Sequence, residues 1–170
     1  MLVWTERKCA VFLRTRRDKS PGDIIKMSPG LFIILTTKRG FTKMKLSILN
    51  EKLSIVRLKP NQQIPNWSLK STEFLSITLT EEELSIVCSE NSLPSKKEDL
   101  EVNDGWRCIK VEGPLDFSLT GILSKLAAPL AEANVSIFAV STYHTDYLMV
   151  KNDDLNKATE VLTNAGNEFQ

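Results

Sequence analysis

Six consecutive residues, Ser141 to Asp146 (STYHTD), interrupt a stretch that is otherwise mostly apolar, VSIFAV before it and YLMV after it. A hydroxyl, an imidazole and a carboxylate so close together suggest two chemistries: a nucleophilic relay or a metal site. The pattern argues against both. His144 is the only histidine of the chain, and one imidazole with one nearby carboxylate falls short of the donor set of a zinc-type site. A relay needs an activated nucleophile within reach of the base, and the sequence places none beside His144. His144 therefore reads as an exposed turn residue. The three cysteines, Cys9, Cys88 and Cys108, form no CxxC pair. An odd count without a signal peptide fits reduced thiols of the cytosol. Cys88 and Cys108 lie in apolar strand-like runs, where buried and inert is the expected state. No acid–base pair or metal cluster emerges elsewhere, so the sequence points away from an enzyme and implies no cofactor.

The elements that hold this hexapeptide are legible from periodicity. VSIFAVS (Val135–Ser141) and DYLMVK (Asp146–Lys151) read as two strands of a hairpin. Between Ser118 and Ala133, Leu119, Ile122, Leu123, Leu126, Ala127, Leu130 and Ala131 form one continuous helical stripe. Asp116 or Ser118 could cap its start, and Pro129 inside it predicts a bend or a broken turn. A second helix is expected from Asp153 to Ala165, capped by Asn152 or Asp153 and stopped by Gly166. WRCIKVEG (Trp106–Gly113) is the strand before the first helix, closed by the Gly113-Pro114 break.

Upstream, KLSIVRL (Lys52–Leu58), FLSITLT (Phe74–Thr80) and ELSIVCS (Glu83–Ser89) read as strands, the last two joined in a tight hairpin. Residues 59–73 fit a loop or a short helix from Pro65 to Lys70. Residues 89–105 read as a linker, with KKEDLE a candidate helical turn. The chain thus looks like one unit written twice. The fold class expected is α+β: two ferredoxin-like βαββαβ units with antiparallel sheets packed side by side, the first degenerate in its helices. The expected organisation is a basic extension over 1–43, a first unit over 44–105 and a second over 106–170. The first unit, short of helix, should dock against the second or share strands with it.

Composition adds little about chemistry. The chain has 170 residues, 42% hydrophobic and 25% charged, ordinary values for a globular protein. LFIILTT (Leu31–Thr37) is its longest apolar run and falls far short of the ~18 residues that suggest a membrane-spanning helix. Charge is uneven: residues 1–43 carry ten Lys or Arg against three acids, a net +7, and the rest is net −6. The basic residues are scattered without aromatics at base-stacking spacing, which argues against a nucleic-acid arm. The extension is expected to be poorly ordered or to precede a natural start at Met44.

GPLDFSLTG (Gly113–Gly121), APLAEA (Ala128–Ala133) and SIFAVSTYHTDYLMV (Ser136–Val150) resemble an ACT domain. The preceding LSIVRL…FLSITLTEEELSIVC is similar to a divergent first ACT unit. The resemblance runs from about Met44 to Ala165, and is to small tandem ACT proteins related to the arginine-sensing ACT-repeat proteins and to aspartate kinase regulatory domains. It implies a cytoplasmic, non-enzymatic regulatory protein that binds a small molecule, an amino acid, at the interface between units. The implied contacts are Asp116, Phe117, Ser118, Thr120 and Gly121 on the helix-start side and Ser141, Thr142, Tyr143 and Asp146 on the hairpin side. A helix N-terminus favours a carboxylate, and Asp146 could pair with an ammonium group. Caps and turns explain the same residues without a ligand. In the arginine-sensing relatives the helix start is acidic; Ser118 and Leu119 stand there instead, favouring a smaller or less basic ligand. The alternative is a ligand-free module for homodimerisation or partner capture. Neither nucleic acid nor membrane is an expected partner.

Overall fold

The computed structural model describes residues 43–95, 100–115 and 120–170. The basic extension up to residue 42, the 96–99 part of the candidate turn in KKEDLE, and the helix-start residues Asp116, Phe117, Ser118 and Leu119 lie outside the described residues.

The described chain is mixed α+β, built on one eight-stranded sheet. In chain order the strands are β1 (Lys45–Ile48), β2 (Leu53–Leu58), β3 (Ser76–Leu79), β4 (Leu84–Ser89), β5 (Glu101–Val111), β6 (Ile137–Ser141), β7 (Asp146–Lys151) and β8 (Glu168–Phe169). Two helices, α1 (Ile122–Glu132) and α2 (Leu155–Asn164), flank the β6–β7 hairpin. β5 is the hub. One of its edges bonds β2 along its first half and β1 along its second; the other edge bonds β7. The sheet runs β3-β4-β2-β5-β1-β8, with β7 and then β6 on the far side of β5.

Three features depart from the sequence reading. First, β5 begins at Glu101, inside the stretch expected to be linker. Its polar residues carry no strand signal, but β2 supplies a ladder: Arg57, Val56 and Ile55 face Glu101, Val102 and Asn103. The register then slips, β5 taking one extra residue before Leu53 meets Trp106. Gly105, at φ 75°, supplies the left-handed conformation such a bulge needs. Second, β1 is too short to show a strand period in the sequence. It lies between β5 and β8, antiparallel to the first and parallel to the second, where a βαββαβ unit would pair its own first and last strands. Third, α1 starts at Ile122, later than Ser118, with Gly121 at the cap position and no side-chain cap bond. The expected caps, Asp116 and Ser118, lie outside the described residues. The helix also continues through Pro129, so the expected broken turn is absent. Only the short stretch from Leu130 to the cap at Ala133 follows Pro129, and a proline removes a single helical bond.

α2 likewise has Asp154, not Asn152 or Asp153, at its cap, without a side-chain bond; a 3₁₀ turn over Asn152–Asp154 leads into it. Both helices end in the same way. Asn134 (φ 54°) and Gly166 (φ 94°) are left-handed, and the next residues, Val135 and Asn167, donate to Leu130 and Leu162 carbonyls five residues back. The stop expected at Gly166 is where α2 ends.

The two faces of the sheet are filled differently. The helices cover one: Ile122, Leu126, Leu130, Ala158 and Leu162 bury against Leu46, Ile109, Val111, Leu148 and Val150. On the other face the sheet closes on itself. Leu53, Phe74 and Val87 from the first half meet Trp106, Cys108 and Met149, with Phe138, Val140 and Tyr147 alongside. The Phe74 and Tyr147 rings lie 4.8 Å apart and tilted. A third cluster, Val56, Leu58, Leu84, Ile86 and Cys88, is covered by loop residues Trp67, Leu75 and Leu93. The described helical turns of the first half are two single 3₁₀ turns, Ser68–Lys70 and Glu90–Ser92.

Candidate functional site

The hairpin tip is a tight turn closed by Thr142 and Thr145. Thr142 N donates to the Thr145 carbonyl at 2.9 Å, and the Thr142 hydroxyl donates to the same carbonyl at 3.0 Å. Tyr143 and His144 stand exposed at the tip, their rings edge to face at 5.0 Å. Below the turn Ser141 and Asp146 are cross-strand partners, and the Ser141 hydroxyl donates to Asp146 Oδ1 at 2.6 Å. Asp146 is half-buried on the face it shares with Leu148 and Val150, the helix-covered one. The carboxylate is thus committed to Ser141 while the imidazole turns to Tyr143, and no carboxylate–imidazole–hydroxyl relay forms. Among the described residues no group of three metal-ligating side chains comes together. His144 is the exposed turn residue the sequence suggests.

The loop that leaves β5 is fastened to this turn. Leu115 N donates to the His144 carbonyl at 2.8 Å, and the buried Thr145 hydroxyl donates to the Val111 carbonyl. Gly113 is required at the crossing: a Cβ there would sit 2.8 Å from Leu115 N. The fold therefore brings the start of GPLDFSLTG against STYHTD. At the end of the same motif Thr120 and Gly121 are both exposed, with Gly121 at φ 77° heading α1.

Beside this junction lies one further carboxylate. Glu112 accepts from the Ser47 hydroxyl at 2.5 Å and from Lys110 Nζ at 3.0 Å. These bonds, the Ser47 bond foremost, hold it below the usual carboxylate range. The cysteines Cys88 and Cys108 are buried and free. Burial pushes the Cys88 thiol up to about 11 and the Cys108 thiol up to about 12, the latter with help from Glu73. Neither is a nucleophile at neutral pH.

Sequence reasoning missed a cleft of about 270 Å³ on the other side of the hairpin. Ser76, Thr78, Ser85 and Val87 of the β3–β4 pair form one wall, and β6 from Phe138 to Ser141 forms the other. The available signal was the alternation in SITL, which places Ser76 and Thr78 on one face of β3.

Comparison with known proteins agrees with this architecture. A family model described as the ACT domain matches residues 101–164, and a second, described as an N-terminal domain, matches 51–96. Residues 101–164 are thus identified as an ACT domain. Among curated proteins it is 32% identical, over 97 residues, to the human and bovine proteins named cytosolic arginine sensor for mTORC1 subunit 1, covering 54% of this chain and 30% of each relative. The chain thus spans about 30% of the length of those relatives. Among solved structures, an Agrobacterium tumefaciens protein matches with a TM-score of 0.69 at 41% identity, over 75% of this chain and 92% of that one. The aspartate kinase of Clostridium acetobutylicum matches at a TM-score of 0.54 and 18% identity, over 71% of this chain and 34% of that one, a likeness of fold. No helix among the described residues is long and apolar enough to cross a membrane.

Proposed function

We propose that this chain is a cytoplasmic, non-enzymatic regulatory protein that binds an amino acid between two ACT-type units, a divergent one over 44–105 and a second over 106–170. The units share β5. The observation that carries this reading is the double fastening of the post-β5 loop to the hairpin turn, Leu115 to His144 and Thr145 to Val111. It supports a site at this junction, with Asp116, Phe117, Ser118, Thr120 and Gly121 of the helix-start motif and Ser141, Thr142, Tyr143 and Asp146 of the hairpin as its proposed ligand contacts. The similarity to proteins named as arginine sensors supports an amino acid as the ligand class. The regulatory signal arises because the bound ligand favours one docking of the units, or of two copies of the chain, over another. Calorimetry of the full chain against the twenty amino acids tests this: at least one binds with measurable heat. Silence from a sample shown to be folded sinks the reading and leaves the ligand-free interaction module, for which the outer edges of β3, β6 and β8 are unpaired among the described residues.

A further inference from the structure

The outer edge of β6 faces the cleft, and among the described residues no strand pairs with it. The direction of its main-chain groups follows from the register. Thr142 and Thr145 are a hydrogen-bonded pair, and in an antiparallel ladder bonded and non-bonded pairs alternate. Ser141 and Asp146 are then non-bonded, while Val140 with Tyr147 and Phe138 with Met149 are bonded. The next strand gives an independent check. Cys108 O accepts from Leu49 N and Glu112 N donates to Lys45 O, both toward β1. The odd-numbered residues of β5 therefore face β7, which turns Leu148 toward β5 and Tyr147 toward β6. Both routes leave Ile137, Ala139 and Ser141 with N–H and C=O directed outward, toward the cleft.

Across the cleft stand the hydroxyls of Ser76, Thr78 and Ser85, with Val87 beside them. The described lining holds no charged side chain. At ~30 Å³ per water molecule the cleft holds about nine waters. That suits a small amino acid and is too little for a peptide running the length of β6.

We propose that this cleft binds a free α-amino acid with a short uncharged side chain, held as a one-residue extension of the sheet on β6. The Ala139 carbonyl accepts from the ligand's ammonium group, and Ser141 N–H donates to its carboxylate. Zwitterion recognition then uses main chain alone, as in strand addition. The ligand side chain meets hydroxyls that both donate and accept, which suits serine, threonine or asparagine. A guanidinium or a second carboxylate would be desolvated without a partner on this lining, the costliest outcome for a polar group. The proposal rests on the amino-acid reading above and adds to it a subsite away from the helix start.

The test is calorimetry of the full chain with serine, threonine, asparagine, alanine, arginine and glutamate. Serine, threonine or asparagine should bind at least tenfold more tightly than arginine or glutamate. Thr78→Phe and Ser85→Phe, which plug the cleft from half-exposed or exposed positions, should each weaken that binding at least tenfold in samples with unchanged circular dichroism. Arginine or glutamate binding most tightly overturns the subsite while the amino-acid reading survives. So does binding that ignores both plugging variants. The subsite also falls if sedimentation shows a dimer that Ala139→Pro, which removes one outward N–H, converts to monomer, because a second copy then owns the edge. No binding by any amino acid removes both the subsite and the reading beneath it.

Discussion

The two halves of the sheet solve one problem in two ways. Around β5–β8, two amphipathic helices bury a full apolar face, with Leu126, Leu130 and Leu162 wholly enclosed. Around β2–β4 the described residues form only 3₁₀ turns, and a loop carrying Trp67 and Leu75 closes over Val56, Leu84 and Ile86. A loop cannot bury as much as a helix, because its main-chain groups need solvent or local partners. The first half makes up the shortfall by pressing its other face on the second half through Leu53, Phe74 and Val87. A sheet half with little helix can thus be stabilised by sharing a core with its neighbour.

That contrast can be broken by substitution. Leu126→Ala, in the helix-built half, should lower the free energy of unfolding by about 3–5 kcal/mol, measured by urea titration. Trp67→Ala, on the loop-built side where the ring is only partly buried, should cost about 2 kcal/mol. Equal losses would mean that the loop packs as tightly as the helices. Gly105→Ala should cost about 1–2 kcal/mol, since it forces a side chain into the left-handed region at the bulge where the halves join. A smaller effect is expected from Glu112. Its folded carboxyl titrates below its unfolded value, so it adds stability above the ordinary carboxylate range and loses it as pH falls through the lowered one. Glu112→Gln should therefore flatten the decline in stability between about pH 5 and pH 3. Smallest in energy, but sharp in outcome, is the thiol test. At pH 8 Cys88 and Cys108 should resist iodoacetamide in the native protein and react once urea unfolds it.

Much of the second half was legible from the sequence. The span of β7 and the stop at Gly166 follow from alternation and from a glycine where a helix must reverse. What escaped was non-local. Residues Glu101 to Gly105 are polar and hold strand geometry only because β2 offers them a ladder. β1, four residues long, has too few positions for a period to show and is a strand by virtue of β5. At the site, the exposure of His144 was legible from its isolation among non-partners; the Ser141–Asp146 bond was not read, since a turn aspartate was expected to bond its own backbone or a ligand. The cleft was not, since its two walls lie some sixty residues apart in sequence. Three of the residues expected at the helix start, Asp116, Phe117 and Ser118, lie outside the described residues.

The insertion of β1 between β5 and β8 has a consequence for how the protein is made. A ribosome releases β1 early, yet its two neighbours arrive about sixty and one hundred and twenty residues later. Until they do, β1 has no ladder, and the β5–α1–β6–β7–α2 segment cannot seat its final strand without it. Closing this sheet therefore waits on contacts of long sequence separation, the kind that slow folding. A fragment beginning at Glu101 would carry both helices and still lack the strand that joins its first to its last.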